Sequence, residues 1–312
     1  MISNAPIHKK GKDTMAPTNP FSYPSTYNNI AITPNTTVSY ISAGSPTLPT
    51  LLLLHGFPSS SNQFRNHIPL LSTTYHVLAP DLPGFGLTTF PPEYDFTFDH
   101  LALTISAFLT ALNIGTYAMY IFDYGAPVGL RLALSNPSSI KAIISQNGNA
   151  YVEGLGHPFW DPIEALWADP SPHNYEIVRN GVLTLEATVY QYTSGVPSDG
   201  LPLVNPAAYT YDYLKNVQTP ADQDRQLALF YDYRNNVAMY PAFQAYFRES
   251  QVPLLAVWGK NDPAFVPAGA EAFKRDLPRA EVKFVDTGHF ALETKVEAIA
   301  DETLQFLRRV GY

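Results

Sequence analysis

Three residues of this 312-residue chain stand where chemistry is possible: Asp123, Asp262 and His289. Each comes shortly after a run that reads as a strand: Thr116–Phe122, whose β-branched and aromatic residues read as buried, Val252–Trp258 and Glu281–Val285. Asp123 is the most tightly framed. The strand before it turns at Asp123-Tyr124-Gly125 into a helix over Ala126–Ser135, where Leu130, Leu132 and Leu134 supply the apolar spacing and Pro137 ends it. So abrupt a turn projects the apex side chain outward, at the positive end of a helix dipole. A carboxylate there is already anionic at neutral pH and can displace a leaving group from saturated carbon, forming an alkyl-enzyme ester. Water activated by His289 would then cleave the ester, while Asp262 holds the other ring nitrogen in the right tautomer. Taken singly, Asp123 fits a helix cap, Asp262 a turn before Pro263, and His289 a surface loop. Three such residues after three strands favour the chemical reading.

The elements that must carry them alternate. Tyr27–Ile32 and Thr37–Ser42 read as an antiparallel hairpin across Pro34-Asn35. Leu48–Leu54 is a continuous apolar run, expected for a central parallel strand, and enters His55-Gly56-Phe57-Pro58. A helix over Asn62–Leu71, a strand at Tyr75–Pro80, a turn at Asp81–Gly86, a helix at Phe98–Leu112 and a strand at Ile140–Gln146 follow. This alternation predicts an α/β fold with a mostly parallel, doubly wound sheet. From Tyr151 to about Glu249 it breaks into a proline-rich, aromatic segment holding eleven of the twenty tyrosines, expected to be helical. A helix near Ala268–Leu277 and one at Lys295–Val310 complete the chain. The predicted organisation is a flexible tail over 1–21, a core over 22–149 and 250–312, and a helical cap over 150–249.

Composition removes several function classes. A net charge of −8, with no lysine- or arginine-rich run, argues against nucleic-acid binding. The absence of cysteine excludes disulfides and thiolate chemistry. No apolar run reaches membrane-spanning length, and none follows Lys9, Lys10 and Lys12, so no signal peptide is expected and a cytoplasmic enzyme is the default. The eight histidines are scattered, with no His-Glu-x-x-His, and no phosphate-cradling or dinucleotide motif occurs. No metal and no cofactor are expected. The expected partner is a small organic substrate, and the oligomeric state is left open.

The motifs at His55–Pro58, Asp123–Gly125, Asp262 and Gly288-His289 resemble the Asp-nucleophile branch of the α/β-hydrolase superfamily: epoxide hydrolases and the haloalkane and haloacid dehalogenases. The resemblance runs from about Ser22 to the end of the chain. It implies an eight-stranded α/β-hydrolase core and an oxyanion hole from the backbone N–H groups of Phe57 and Tyr124. It also implies a cis bond at Phe57-Pro58. His55, Trp160 and Phe290 are expected in the substrate pocket. The chain departs from the family twice: Ile121 occupies the first elbow glycine, with Ala126 and Gly129 making room, and Tyr124 stands where many members carry tryptophan. Haloalkane dehalogenases hold the halide with that indole. Epoxide hydrolases instead use phenols of the cap to protonate the opening ring. Tyr233, in Tyr231-Asp232-Tyr233-Arg234-Asn235, resembles one of these, and either Tyr190 or Tyr192 is expected to be the other. The leading expectation is thus epoxide hydrolysis to a diol. The alternatives are a dehalogenase, with Arg131 or Arg234 binding the carboxylate of a haloacid, and a ligand-binding homologue without turnover.

Overall fold

The computed structural model describes residues 24–312; the tail expected over 1–21 lies outside them. Eight strands form one sheet: β1 (Thr26–Thr33), β2 (Thr36–Ala43), β3 (Thr50–Leu54), β4 (His76–Pro80), β5 (Tyr117–Phe122), β6 (Ile140–Gln146), β7 (Leu254–Gly259) and β8 (Glu281–Val285). Their spatial order is β1-β2-β4-β3-β5-β6-β7-β8. The β1–β2 and β2–β4 pairs are antiparallel, and every pair from β4 through β3 to β8 is parallel.

The inner strands β3, β5 and β7 are buried throughout, and their successive side chains point to opposite faces of the sheet. Leu52, Leu54, Met119 and Ile121 enter one apolar layer, with α2 (Phe98–Ala111) and α3 (Gly125–Ser135). Leu51, Leu53, Tyr120 and Phe122 enter the other, with α1 (Ile68–Leu71) and, at the end of the chain, the helix Val296–Arg309. Each fully buried leucine contributes about 1.5–3 kcal/mol, so the four consecutive leucines anchor β3 from both sides. The mostly parallel α/β sheet is the one the alternation of elements predicts, and its eight strands are those implied by the resemblance to the α/β-hydrolases.

One predicted element differs. The helix expected over Asn62–Leu71 is a 3-10 turn at Ser61–Phe64 followed by the short α1. Pro69 has no N–H to bond the carbonyl four residues back, so a continuous helix breaks there and restarts with proline in its first turn.

Between β6 and β7 lie five helices: α4 (Asp161–Ala168), α5 (Pro172–Val182), α6 (Leu185–Thr193), α7 (Pro206–Asn216) and α8 (Pro220–Ser250). The last opens on a capping box, in which Thr219 and Asp222 satisfy each other's backbone N–H. It packs against α2, α3, α4 and α5. Trp167 donates its indole N–H to the Phe230 carbonyl of α8, and Trp160 donates to the Ala264 carbonyl beyond β7. The chain then returns to the sheet through β7, α9 (Pro267–Asp276), β8 and α10 (Val296–Arg309).

Candidate active site

Asp123 sits between β5 and α3 with φ +48°, a left-handed conformation that is uncommon for any residue but glycine. Packing holds it there. The six residues of β5 are all buried, and so is α3 from Gly125 to Ala133. Ile121 fits beside the crossing because Gly129 has no side chain: a Cβ there would lie 2.7 Å from Ile121 Cγ2. A Cβ on Gly56 would overlap the Asp123 carboxylate itself, so the His55–Pro58 loop approaches Asp123 closely only because residue 56 is glycine.

That approach sets the contacts. Phe57 N–H donates to Asp123 Oδ1 at 2.6 Å, and the Phe57-Pro58 bond is cis. The other carboxylate oxygen, Oδ2, lies 3.9 Å from His289 Nε2. On its far side, His289 Nδ1 lies 2.7 Å from Asp262 Oδ2. Asp262 is held by two further donors: Asn147 Nδ2 at 2.7 Å on Oδ2 and the Ala264 N–H at 2.7 Å on Oδ1. With all three bonds arriving at an acceptor-only carboxylate, His289 carries its proton on Nδ1 and leaves Nε2 free toward Asp123.

Burial pushes the Asp123 pKa up to about 6, against the lowering effects of His289 and of the Phe57 and Tyr124 N–H groups. Burial would lower the pKa of His289, but the charge and hydrogen bond of Asp262, with Asp123 behind them, hold it above its ordinary value. The arrangement can therefore carry a carboxylate nucleophile and an imidazole base near neutral pH.

The other expected site residues divide. Tyr124, Phe57 and Tyr233 gather beside Asp123: the Tyr124 ring lies 5.9 Å from both the Phe57 and the Tyr233 rings. Trp160 packs 4.7 Å from Tyr233, and Phe290 packs 5.2 Å from His289. His55 spends both ring nitrogens on the backbone. Its Nε2 accepts from the Leu82 N–H at 2.9 Å, which leaves Nδ1 to donate to the Gly56 carbonyl at 3.1 Å; the ring is fully buried and pins two loops. Neither Tyr190 nor Tyr192 presents its hydroxyl to Asp123. Two positions apart on α6, they face opposite ways, so Tyr190 is 51% exposed. Tyr192 stacks on Phe290 at 3.8 Å and donates to Asp212. Arg131 is also committed elsewhere, to Asp99 at 2.6 Å, Asn236 at 2.7 Å and the Pro127 carbonyl. Arg234 lies over the Tyr231 ring.

Sequence reasoning missed Asn147, which aligns Asp262. Its φ of +48° belongs to a residue type that tolerates the left-handed region, and an Asn-Gly-Asn run just past a strand was the available signal. Among the described residues no group of His, Cys, Asp or Glu side chains could hold a metal ion. None of the described helices is long and apolar enough to cross a membrane.

Comparison with known proteins matches residues 49–296 to the family model described as the alpha/beta hydrolase fold. The chain belongs to the α/β-hydrolase family. It is 48% identical over 285 residues to an uncharacterized hydrolase of Saccharomyces cerevisiae, covering 89% of this chain and 96% of that one. It is 26% identical to a cis-3-alkyl-4-alkyloxetan-2-one decarboxylase of Xanthomonas campestris pv. campestris, over 92% of this chain and 97% of the relative. Among solved structures, a haloalkane dehalogenase of Bradyrhizobium elkani superposes with a TM-score of 0.74 at 20% identity, covering 92% of this chain and 99% of that one. This α/β-hydrolase is accordingly an enzyme of hydrolytic type with dehalogenase-like relatives.

Proposed function

We propose that this α/β-hydrolase opens small epoxides to diols through a covalent ester on Asp123. The observation that carries the reading is the Asp123 carboxylate itself. One of its oxygens is bonded to the Phe57 N–H, and the other faces a histidine already paired with Asp262. Asp123 attacks carbon, His289 activates water against the ester, and the N–H groups of Phe57 and Tyr124 hold the oxyanion. The helices over residues 150–249 act as the cap that closes over a small organic substrate.

The choice of leaving group follows from which donors are free. All three tryptophans spend their indole N–H on backbone carbonyls: Trp160 on Ala264, Trp167 on Phe230 and Trp258 on Phe265. No indole is left to hold a departing halide. The buried donors without a partner beside Asp123 are phenols, Tyr124 and Tyr233, and a phenol suits an oxygen that must gain a proton as it leaves. The Xanthomonas relative is named for an oxetan-2-one, itself a strained oxygen ring, which is consistent with a ring oxygen as the departing atom. Dehalogenation by the same nucleophile is the alternative. The Bradyrhizobium structure shares the fold, but of the two arginines expected to hold a haloacid carboxylate, Arg131 is spent on Asp99 and Asn236 and Arg234 on the carbonyl and ring of Tyr231.

A single turnover of styrene oxide in heavy-oxygen water tests the reading. Label is expected in the Asp123 side chain after the ester is hydrolysed. Label confined to the diol, or halide release from haloacids with epoxides untouched, overturns it.

A further inference from the structure

Two buried amides, at the end of β6 and just past it, join the strands that carry the site. Asn147 stands at φ +48°, and its side chain meets three partners. Nδ2 donates to Asp262 Oδ2 at 2.7 Å, while Oδ1 accepts the Gly259 N–H at 2.9 Å and Gln146 Nε2 at 2.6 Å. A backbone N–H can only donate, so Gly259 fixes which end of the Asn147 amide is oxygen and turns the NH₂ group toward Asp262. Gln146 is fully buried as well. Its Nε2 also donates to the His289 carbonyl at 3.1 Å, and its Oε1 accepts from the Tyr120 hydroxyl of β5 at 3.4 Å.

Asp262 Oδ2 therefore takes two donors, His289 Nδ1 and Asn147 Nδ2. We infer that Asn147, held in place by Gln146, is a positioning residue that takes up part of the Asp262 charge and so keeps His289 from holding its proton too tightly. The charged groups facing the His289 ring are Asp262 and Asp123; the rings of Phe122, Phe265 and Phe290 pack around it. Both carboxylates favour the imidazolium, yet a general base must be neutral before it can act. A third party donating to Asp262 weakens that pull without moving the ring. This role rests on the reading of Asp123 as a nucleophile and belongs to the second half of that reaction. His289 Nε2 takes a proton from water as the water oxygen bonds to the ester carbonyl carbon and the carbonyl electron pair moves to its oxygen. The centre then collapses and its bond to the alkyl oxygen breaks. That oxygen takes the proton back from His289 and leaves as a hydroxyl of the diol, and the acid proton left on Asp123 restores the group that protonated the epoxide oxygen.

The test follows ester hydrolysis against pH in a single turnover with styrene oxide. Asn147→Gly keeps the left-handed backbone and removes the amide. The pH of half-maximal hydrolysis is expected to move up by about one unit, the scale of a lost hydrogen bond to a charged group. Hydrolysis then slows about tenfold below that midpoint, and the loss fades as pH rises. Gln146→Met removes the support but leaves Gly259 on the Asn147 oxygen; it is expected to shift the profile the same way by less, and makes the comparison if Asn147→Gly does not fold. An NMR titration of the His289 ring needs no substrate and is expected to show the same upward shift. Slowing by one factor at every pH, an unmoved His289 titration or a downward shift overturns the inference. If the wild-type enzyme forms no ester from styrene oxide, the reading of Asp123 fails, and the titration alone decides the role of Asn147.

Discussion

Two buried carboxyl groups of this enzyme, Asp123 and Asp212, have met burial in different ways. Burial raises both, Asp123 to about 6 and Asp212 to about 8. At Asp123 a backbone N–H at 2.6 Å and a histidine at 3.9 Å counter the penalty, so the carboxylate ionises within reach of neutral pH. Asp212 has a phenol, Tyr192, on one oxygen and nothing on the other, while the nearby Arg65 cation is spent on Glu293 at 2.7 Å. Asp212 therefore stays protonated at neutral pH and works as a neutral hydrogen-bonding side chain between helices. A buried carboxyl becomes reactive here through the donors arranged on its charged form, and burial alone does not supply them.

Substituting both positions sharpens the contrast. In each, the folded pKa lies above the unfolded value near 3.8, so the ionised unfolded state is favoured progressively as pH rises from that value to the folded pKa. The amide variants do not titrate and should both be the more stable proteins at pH 8. Asp123→Asn is expected to lose at least about 10⁴-fold in epoxide turnover. The same variant should gain about 1–2 kcal/mol in stability, read from denaturant melts, with the gain fading as pH falls below about 6. A fall in stability at pH 8 would mean that the Asp123 contacts outweigh its burial.

The pH profile gives a smaller effect. kcat/KM for an epoxide should rise through pH 6 as Asp123 ionises, falling about tenfold for each unit below it; a profile flat down to pH 5 would remove Asp123 from the rate-determining step. The smallest effect on turnover is expected at Asp212. Asp212→Asn should gain about 1–3 kcal/mol at pH 8 and keep turnover within about threefold. A large loss of activity would place Asp212 in the reaction.

Much of the fold was legible because the sheet writes itself into the chain. Leu51–Leu54 and Thr116–Phe122 are apolar without alternation, the mark of strands covered on both faces. The break in alternation after Gln146 marked the five-helix insertion for the same reason. Asp123 and Asp262 were legible because each stands just past the carboxyl end of such a strand, and His289 because it follows the edge strand β8; strand order brings those ends together. The insertion was harder to read. Its helices are aromatic on several faces, so composition did not reveal that Tyr190 turns outward or that Tyr192 meets Asp212. His55 shows the same limit: its position beside the site did not reveal that both ring nitrogens bond backbone groups.

By itself, the order of residues determined the α/β-hydrolase sheet, the strand ends that carry Asp123, Asp262 and His289, and the glycines that let loop and elbow meet. These are local properties, set by side-chain period and by backbone freedom at single positions. Only the tertiary structure decided which polar groups surround the site: Asn147 on the Asp262 carboxylate, and the Tyr233 ring, rather than the tyrosines of α6, beside Tyr124. Hydrogen bonds bind over less than 3.5 Å or so, and their partners here lie tens of residues apart, so packing alone selects them.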